Sequence, residues 1–502
     1  MLSVFDHSTP PPCPTPFNLS AYVLGRAGEL ADKTALDVLG GQTWTYGALE
    51  TAVRGTGTGL LQHGLRPGDR VLMRLNNTVD FPIAYLGALA VGLVPVPTSP
   101  MLTETETRHM IDELGVTLTL RDKTVAGAPG APEMSVDHLR RMRSLAPCDW
   151  HMGDPNRLGY IVYTSGSSGN PRAVAHAHRA IWARRMMFQD WYGLQDDDRL
   201  LHAGAFNWTY TLGTGLMDPW TLGATALIPS PGTTANALPA LLAQSKATIF
   251  AAAPGVYRQL LATSEKLTTP HLRHGLTAGD KASRRIQDAW KTATGTHLYE
   301  AYGMSECSTF ISAGPDRPAD GASLGRPQRG RRVAIVADHD PVPIGQPGLI
   351  AVHRDDPGLM LGYWDAQQRQ PTRTNASWFI TGDRGHMDAD GTVTFLGRDD
   401  DMMNAGGYRV SPLEVEDTLR TFPGLDQIAV TDVEVKEDTC IIAAFYVARD
   451  SVDETELTAY ATARLARYKQ PRAWIKLPAL PTNANGKLLR KALRAHFRTE
   501  RK

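Results

Sequence analysis

Between about residues 40 and 310, short apolar or β-branched runs alternate with helical patterns, and this rhythm constrains the fold more than any other feature of the chain. Residues 70–75 read as a strand, 79–91 as a helix and 94–97 as the next strand; the beat returns at 247–252 and at 296–299. Successive parallel strands need a crossover, usually a helix, so the alternation predicts parallel sheets covered by helices, with ligand loops at the strands' carboxyl ends. From 326 to 396 the texture changes to short strands punctuated by Gly and Pro, as in Pro343-Ile344-Gly345-Gln346-Pro347-Gly348, which predicts a small antiparallel, barrel-like unit. After Gly397 it changes again. Asp399-Asp400-Asp401 interrupts the pattern, and Ser411-Pro412-Leu413-Glu414 offers a helix start, with Ser as the cap and Pro at the first helical position. Strand-like runs at 427–433 and 440–447 follow, then a helix over about 455–468. The expected fold is α/β: a large N-terminal region of layered sheets and helices with a small β-barrel-like subdomain over 1–399, then a smaller, mobile α+β C-terminal domain over 400–502. The charged, glycine-flanked joint between them is suited to act as a hinge.

Composition narrows the function classes. A chain of 502 residues with 42% hydrophobic content has material for about three folding units. Lys plus Arg equals Asp plus Glu at 52 each, so nothing in the overall charge calls for nucleic acid or an anionic membrane as partner. The basic stretch 490–502 reads as a solvated helix face, with contact to a phosphorylated cosubstrate as the sharper alternative. Cys13, Cys148, Cys307 and Cys440 lack metal spacing, and the N-terminus lacks a signal pattern, so a cytoplasmic location is expected. The longest apolar stretch, 81–97, is broken by Pro82, Gly87, Gly92 and Pro95, which favours a buried helix running into a strand over a membrane span. His176 and His178 stand two apart without further ligands, a pattern of packing or substrate contact more than of zinc.

Directly behind the strand-like run 158–163 lies a loop of Thr164, Ser165, Gly166, Ser167, Ser168 and Gly169, followed by Asn170-Pro171-Arg172. Glycines let a backbone approach an anion and aim successive N–H groups at it, and the hydroxyls add donors. The Gly-Lys-Ser/Thr ending of a Walker loop is missing. Alone, such a run is a flexible loop more often than a nucleotide site. Further elements follow in order: Tyr302-Gly303-Met304-Ser305-Glu306, Thr381-Gly382-Asp383, the glycine- and arginine-bearing run 397–410, and Pro481-Thr482-Asn483-Ala484-Asn485-Gly486-Lys487. Together they resemble the adenylate-forming superfamily of acyl-CoA synthetases, carrier-loading adenylation domains and beetle luciferases, over about two thirds of the chain.

The resemblance implies roles for particular residues. Thr164 to Gly169 would hold the triphosphate, Tyr302 would pack on adenine beside Gly303 and Ser305, and Gly279-Asp280 resembles the adenine-side Gly-Glu segment. Glu306 takes the place of the Mg²⁺-associated carboxylate and Asp383 that of the ribose hydroxyl acceptor, while Arg398 and Arg409 would act around ribose and phosphate. Lys487 would serve adenylate formation, Asp400 falls at the hinge position, and Gly406-Gly407 would leave room for a pantetheine arm. Where the family's phosphate loop ends Gly-x-Pro-Lys-Gly, this chain has Arg172-Ala173, and Ser168 and Ser305 replace commoner threonines.

The segment Phe206-Asn207-Trp208-Thr209-Tyr210 occupies the place where amino-acid-activating relatives put an aspartate for the substrate ammonium. A neutral amide cannot neutralise a buried ammonium, whereas Asn207 can hydrogen-bond a hydroxyl or carbonyl and Trp208 and Tyr210 suit a flat ring. The expectation is an ATP-dependent acid–thiol ligase that adenylates an aromatic or related acid and passes it to coenzyme A, using ATP, Mg²⁺ and CoA. A carrier-protein pantetheine is the alternative acceptor; a luciferase-like oxygenase or a silent acyl-AMP-binding protein is the alternative of another class. No nucleic acid or membrane partner is expected, and the chain is expected to be a monomer or homodimer.

Overall fold

The computed structural model describes residues 1–6, 9–164, 171–263, 266–319, 323–372, 376–399, 401–405, 408–436, 439–465, 467–482 and 488–500. The chain divides into two compact units: one of 5–332 with 353–379, the other of 1–4, 333–352 and 380–502.

The larger unit realises the βαβ expectation. Its main sheet has nine strands, in which Thr34–Leu39, Thr225–Pro229, Arg199–His202, Ile249–Ala251, His274–Ala278 and His297–Met304 run parallel in that spatial order, with antiparallel strands at both edges. A second, all-parallel sheet orders Val94–Pro97, Arg70–Arg74, Leu118–Arg121 and Glu133–Ser135. The apolar stretch read as a buried helix entering a strand is the Asp80–Ala90 helix, buried at every position, followed by the Val94–Pro97 strand. A third sheet pairs Leu158–Thr164 with Arg172–Ala177 as an antiparallel hairpin, and Thr164 faces Arg172 across it. The Gly/Ser loop is the connection of that hairpin; its residues 165–170 lie outside the described residues.

The small antiparallel, barrel-like unit is present, with narrower bounds than expected. The segment 326–396 is not a single self-contained barrel, because Gly362–Asp365 and Gln370–Thr372 leave it to extend the Arg172–Ala177 hairpin. What remains is a sheet ordered Val4–Phe5, Val333–Ala337, Gly348–His353, Trp378–Met387 and Val393–Arg398, whose hairpins put Asp383 opposite Arg398.

The C-terminal part of the smaller unit begins as read: Ser411 caps the Pro412–Leu419 helix by accepting the Glu414 N–H. Gln427–Lys436 and Thr439–Val447 form an antiparallel pair, with Ala473–Lys476 parallel beside it. The helix expected to reach residue 468 ends at Arg464, since Leu465 turns extended and buries its side chain. The basic C-terminal helix Arg490–Glu500 is not merely solvated. Arg490 is buried against Glu416, donating to both carboxylate oxygens at 2.7 and 3.1 Å, Arg494 donates to Asp432 at 2.8 Å, and Leu493 and Phe497 sit in the core. Removing the Arg490 partner would leave a buried carboxylate uncompensated, so this helix is tied to its domain by charge as well as packing. Among the described residues no helix is long and apolar enough to cross a membrane.

Candidate active site

In the larger unit Tyr302, Ser305 and Glu306 lie at and just beyond the end of the His297–Met304 strand. Tyr302 is half-buried, its ring edge-on to Phe310 at 5.2 Å between centroids. The turn that follows carries Ser305, Glu306 and Cys307. Glu306 is buried, and its Oε1 accepts the Tyr363 hydroxyl at 2.8 Å. The Arg172 guanidinium lies over the Tyr363 ring, 3.1 Å from its centroid. Burial first, then the Glu306 carboxylate, pushes the Tyr363 phenol above its ordinary range, so Tyr363 remains a donor. The departure Arg172-Ala173 thereby acquires a physical reading: a planar guanidinium stacks on an aromatic face where an ammonium would be a point charge, and Ala173 fills a buried strand position opposite Tyr163.

The turn is braced from behind. Arg331, wholly buried, donates to the Cys307 carbonyl at 3.0 Å and to its Sγ at 2.7 Å, and its Nε stands 3.3 Å from the equally buried Asp356. Burial drives the Cys307 thiol far above its usual pKa, which makes it a structural, protonated group.

Beside Ser305 opens a narrow cavity of about 20 Å³. Its wall includes Tyr85, Tyr160, His176, Arg184, Asn207 and Ser308. Tyr160 stacks on His176 at 4.8 Å with planes 15° apart, and Tyr85 meets Tyr160 edge-on at 6.1 Å. His176 donates from Nε2 to the Ser305 carbonyl at 2.7 Å; burial lowers its pKa to about 4, so it is neutral with Nδ1 bare. Its neighbour His178 accepts the Leu19 N–H at 3.1 Å, a packing role.

Of the four residues expected around the acid, Asn207 lines this cavity. Phe206 is instead buried against Phe81 at 6.0 Å, and Tyr210 is buried with its hydroxyl donating to the Leu276 carbonyl at 3.1 Å. Trp208 packs on Gly279: a Cβ there would come within 2.4 Å of the indole, and φ of +93° also favours glycine. Asp280, exposed, accepts its neighbour's N–H, from Lys281, at 2.9 Å.

Arg184, Tyr85, Tyr160 and Ser308, which the sequence reading did not single out, line the cavity, and Asp218 pairs with Arg184. The Arg184 side chain donates to both Asp218 oxygens, from Nε at 2.9 and 3.0 Å and from Nη2 at 2.6 Å. Tyr192 and Thr214 complete the cluster with hydroxyls 3.1 Å from Nη2. Burial alone would lower the Arg184 pKa, but the Asp218 carboxylate outweighs it and holds the guanidinium charged.

The smaller unit carries Asp383 and Arg398, the two residues expected around the ribose. Asp383, nearly buried, lies 3.2 Å from the Arg398 Nε, and the Thr381 hydroxyl accepts the Asp383 N–H at 3.1 Å while donating to the Ile350 carbonyl at 2.8 Å. Arg409 belongs to the Tyr408–Val410 strand. Asp400, Gly406, Gly407 and Lys487 lie outside the described residues, as do Ser165, Gly166, Ser167, Ser168 and Gly169.

No group of three or more His, Cys, Asp or Glu among the described residues is arranged to hold a metal. Mg²⁺ retains water and binds through one or two carboxylates plus substrate phosphates, a chemistry with which the single buried carboxylate of Glu306 is compatible.

Two family models match the chain: AMP-binding enzyme over residues 25–364 and AMP-binding enzyme C-terminal domain over 414–487. A 3-hydroxybenzoate–CoA ligase of Aromatoleum sp. (strain CIB) is 29% identical over 500 residues, covering 93% of this chain and 94% of that protein. The crystal structure of a benzoate CoA ligase from Burkholderia xenovorans LB400 superposes with a TM-score of 0.84 at 25% identity, covering 95% of this chain and 100% of that one. An anthranilate CoA ligase in complex with anthranoyl-AMP superposes at 0.86 and 24% identity, covering 96% and 98%.

Proposed function

Because the chain belongs to the AMP-binding enzyme family, we propose that it is an ATP-dependent ligase that adenylates an aromatic carboxylic acid and transfers the acyl group to coenzyme A. The observation that carries this reading is the ring-walled cavity at Ser305, with the neutral Asn207 on its wall. Full-length similarity to ligases acting on benzoate-type acids supports the same substrate class.

In the first step a carboxylate oxygen attacks the α-phosphorus of ATP and pyrophosphate leaves. Both reactants are anions: at about 4 Å and an effective dielectric near 20, one such pair repels by roughly 4 kcal/mol, about three decades in rate. Lys487 is the cation we assign to offset that repulsion, with Arg409 beside the phosphates. Glu306 would hold Mg²⁺, which neutralises phosphate charge when bound, and the Tyr363 hydroxyl orients that carboxylate. Asp383 would accept the ribose hydroxyls, with Arg398 holding its charge in place. In the second step a thiol attacks the acyl carbon and AMP leaves. Rotation of the C-terminal residues about Asp400 would withdraw Lys487 and bring Gly406-Gly407 to the thiol's path.

Carboxylate-dependent exchange of labelled pyrophosphate into ATP tests the first step, and absence of exchange across benzoates, hydroxybenzoates and aliphatic acids would refute it. Lys487→Ala is expected to abolish adenylation while sparing thioester formation from supplied acyl-adenylate; equal loss of both steps would contradict that division. Comparing CoA with a pantetheinylated carrier protein decides the acceptor.

A further inference from the structure

The wall of the cavity carries more polarity than an unsubstituted ring can use. Arg184 lies between two short helices, Ala180–Ala183 and Arg185–Met187, and Asp218 opens a third, Asp218–Leu222. Each stretch is widened by a π turn, Phe188–Tyr192 and Gly213–Met217, and these turns supply Tyr192 and Thr214 to the cluster. π turns inside helices concentrate at functional sites. Gly213 makes the room, since a Cβ there would stand 2.4 Å from the guanidinium carbon. A charged pair in a helix junction carries a desolvation penalty that well-packed apolar side chains of similar volume would not.

Arg184 lines the cavity and its described partners leave it hydrogen-bonding capacity to spare. Arg184 Nε and Nη2 are consumed by Asp218, Tyr192 and Thr214, whereas Nη1 makes its described bond to the Ser308 hydroxyl oxygen at 2.5 Å and keeps a second N–H. Ser308, having accepted from arginine, has its own O–H to give. It is held at φ of +60°, a left-handed conformation that a non-glycine residue adopts at some cost. Tyr85, 1% exposed, lines the cavity with a hydroxyl that bonds to none of the described residues, and Tyr160 does the same. The cavity therefore offers unused donors beside hydroxyls that also accept. Its net charge is zero, because Asp218 neutralises Arg184.

We propose that Arg184, held by Asp218, is a specificity-determining residue that selects aromatic acids bearing a ring hydroxyl over the unsubstituted ring and over ring dicarboxylates. A hydroxyl accepts from Arg184 or Ser308 and donates to a tyrosine oxygen in one placement, satisfying groups that benzoate would leave buried and unpaired. A second carboxylate would bring an uncompensated charge into a site already neutral. This inference rests on reading the cavity as the acid pocket.

The test is pyrophosphate exchange by the full chain with benzoate, 3-hydroxybenzoate, 4-hydroxybenzoate and isophthalate. The kcat/KM of the better hydroxybenzoate is expected to exceed that of benzoate tenfold to hundredfold, with isophthalate inactive. In the double variant Arg184→Leu/Asp218→Leu, which removes the pair as a unit, the hydroxybenzoate-to-benzoate ratio should fall to within about threefold of one. Tyr85→Phe, a smaller change, should lower the same ratio by about three- to tenfold, and serves if the double variant does not fold. Equal use of benzoate and hydroxybenzoates by the unmodified chain, or a ratio unmoved in the variants, overturns this inference alone. No exchange with any aromatic acid overturns the acid-pocket reading as well.

Discussion

Two buried arginine–aspartate pairs in the larger unit have nearly the same chemistry and opposite surroundings. Arg331 and Asp356 are wholly buried and face only protein: the guanidinium grips Cys307, and the Asp356 carboxylate accepts the backbone N–H groups of Gly358 at 2.8 Å and Arg332 at 3.1 Å. Arg184 and Asp218 are also buried, yet the guanidinium forms part of a cavity wall. A sealed pair can only hold structure, here the turn that carries Glu306. A pair at a cavity retains an N–H for something else. Burial of an ion pair therefore says little about role until the surroundings of each remaining hydrogen are counted.

The contrast can be broken in four ways, taken from the largest expected effect downward. Arg331→Met strands the Asp356 carboxylate in a dry interior and should cost about 3–5 kcal/mol of stability, read as a drop in the urea midpoint. Arg184→Met should cost less, about 1–3 kcal/mol, because Arg184 lines a cavity that can admit water. If the two variants lose equal stability, the distinction between sealed and open pairs fails.

Acid sharpens the comparison next. The folded pKa of His176, about 4, lies below its ordinary 6.5. Its contribution is thus complete above pH 6.5 and lost as pH falls toward 4. Going from pH 7 to 5.5 should cost about 1.2 kcal/mol through this residue, and His176→Asn should flatten that part of the stability profile. A profile unchanged by the substitution would contradict the buried, neutral assignment. Tyr363→Phe should have the smallest effect: pyrophosphate exchange about three- to tenfold slower, with the urea midpoint within error, because only the hydrogen bond to Glu306 is lost.

What could be read from the sequence was local or serial. The Val94–Pro97 strand, the Ser411 cap and the order of the phosphate- and ribose-type segments are each written within a few residues. The cavity wall is not. Arg184 and Asp218 stand 34 residues apart, and neither neighbourhood hints at the other. The orientation of the aromatic segment was not legible for a related reason. Residue type predicted that Phe206, Trp208 and Tyr210 would suit a ring, but which side each presents depends on a short helix that widens into the Gly213–Met217 π turn, where a 3.6-residue period no longer applies. The Arg172–Tyr363–Glu306 line was hidden differently, because Tyr363 reaches the hairpin only when the Gly362–Asp365 strand joins that sheet.

The most direct test of the central claim is to incubate the full chain with ATP, Mg²⁺, CoA and 3-hydroxybenzoate and identify the products by mass spectrometry. The account predicts 3-hydroxybenzoyl-CoA and AMP in equal amounts, with pyrophosphate released. Formation of ADP, or thioester from aliphatic acids in preference to every aromatic acid, would contradict it.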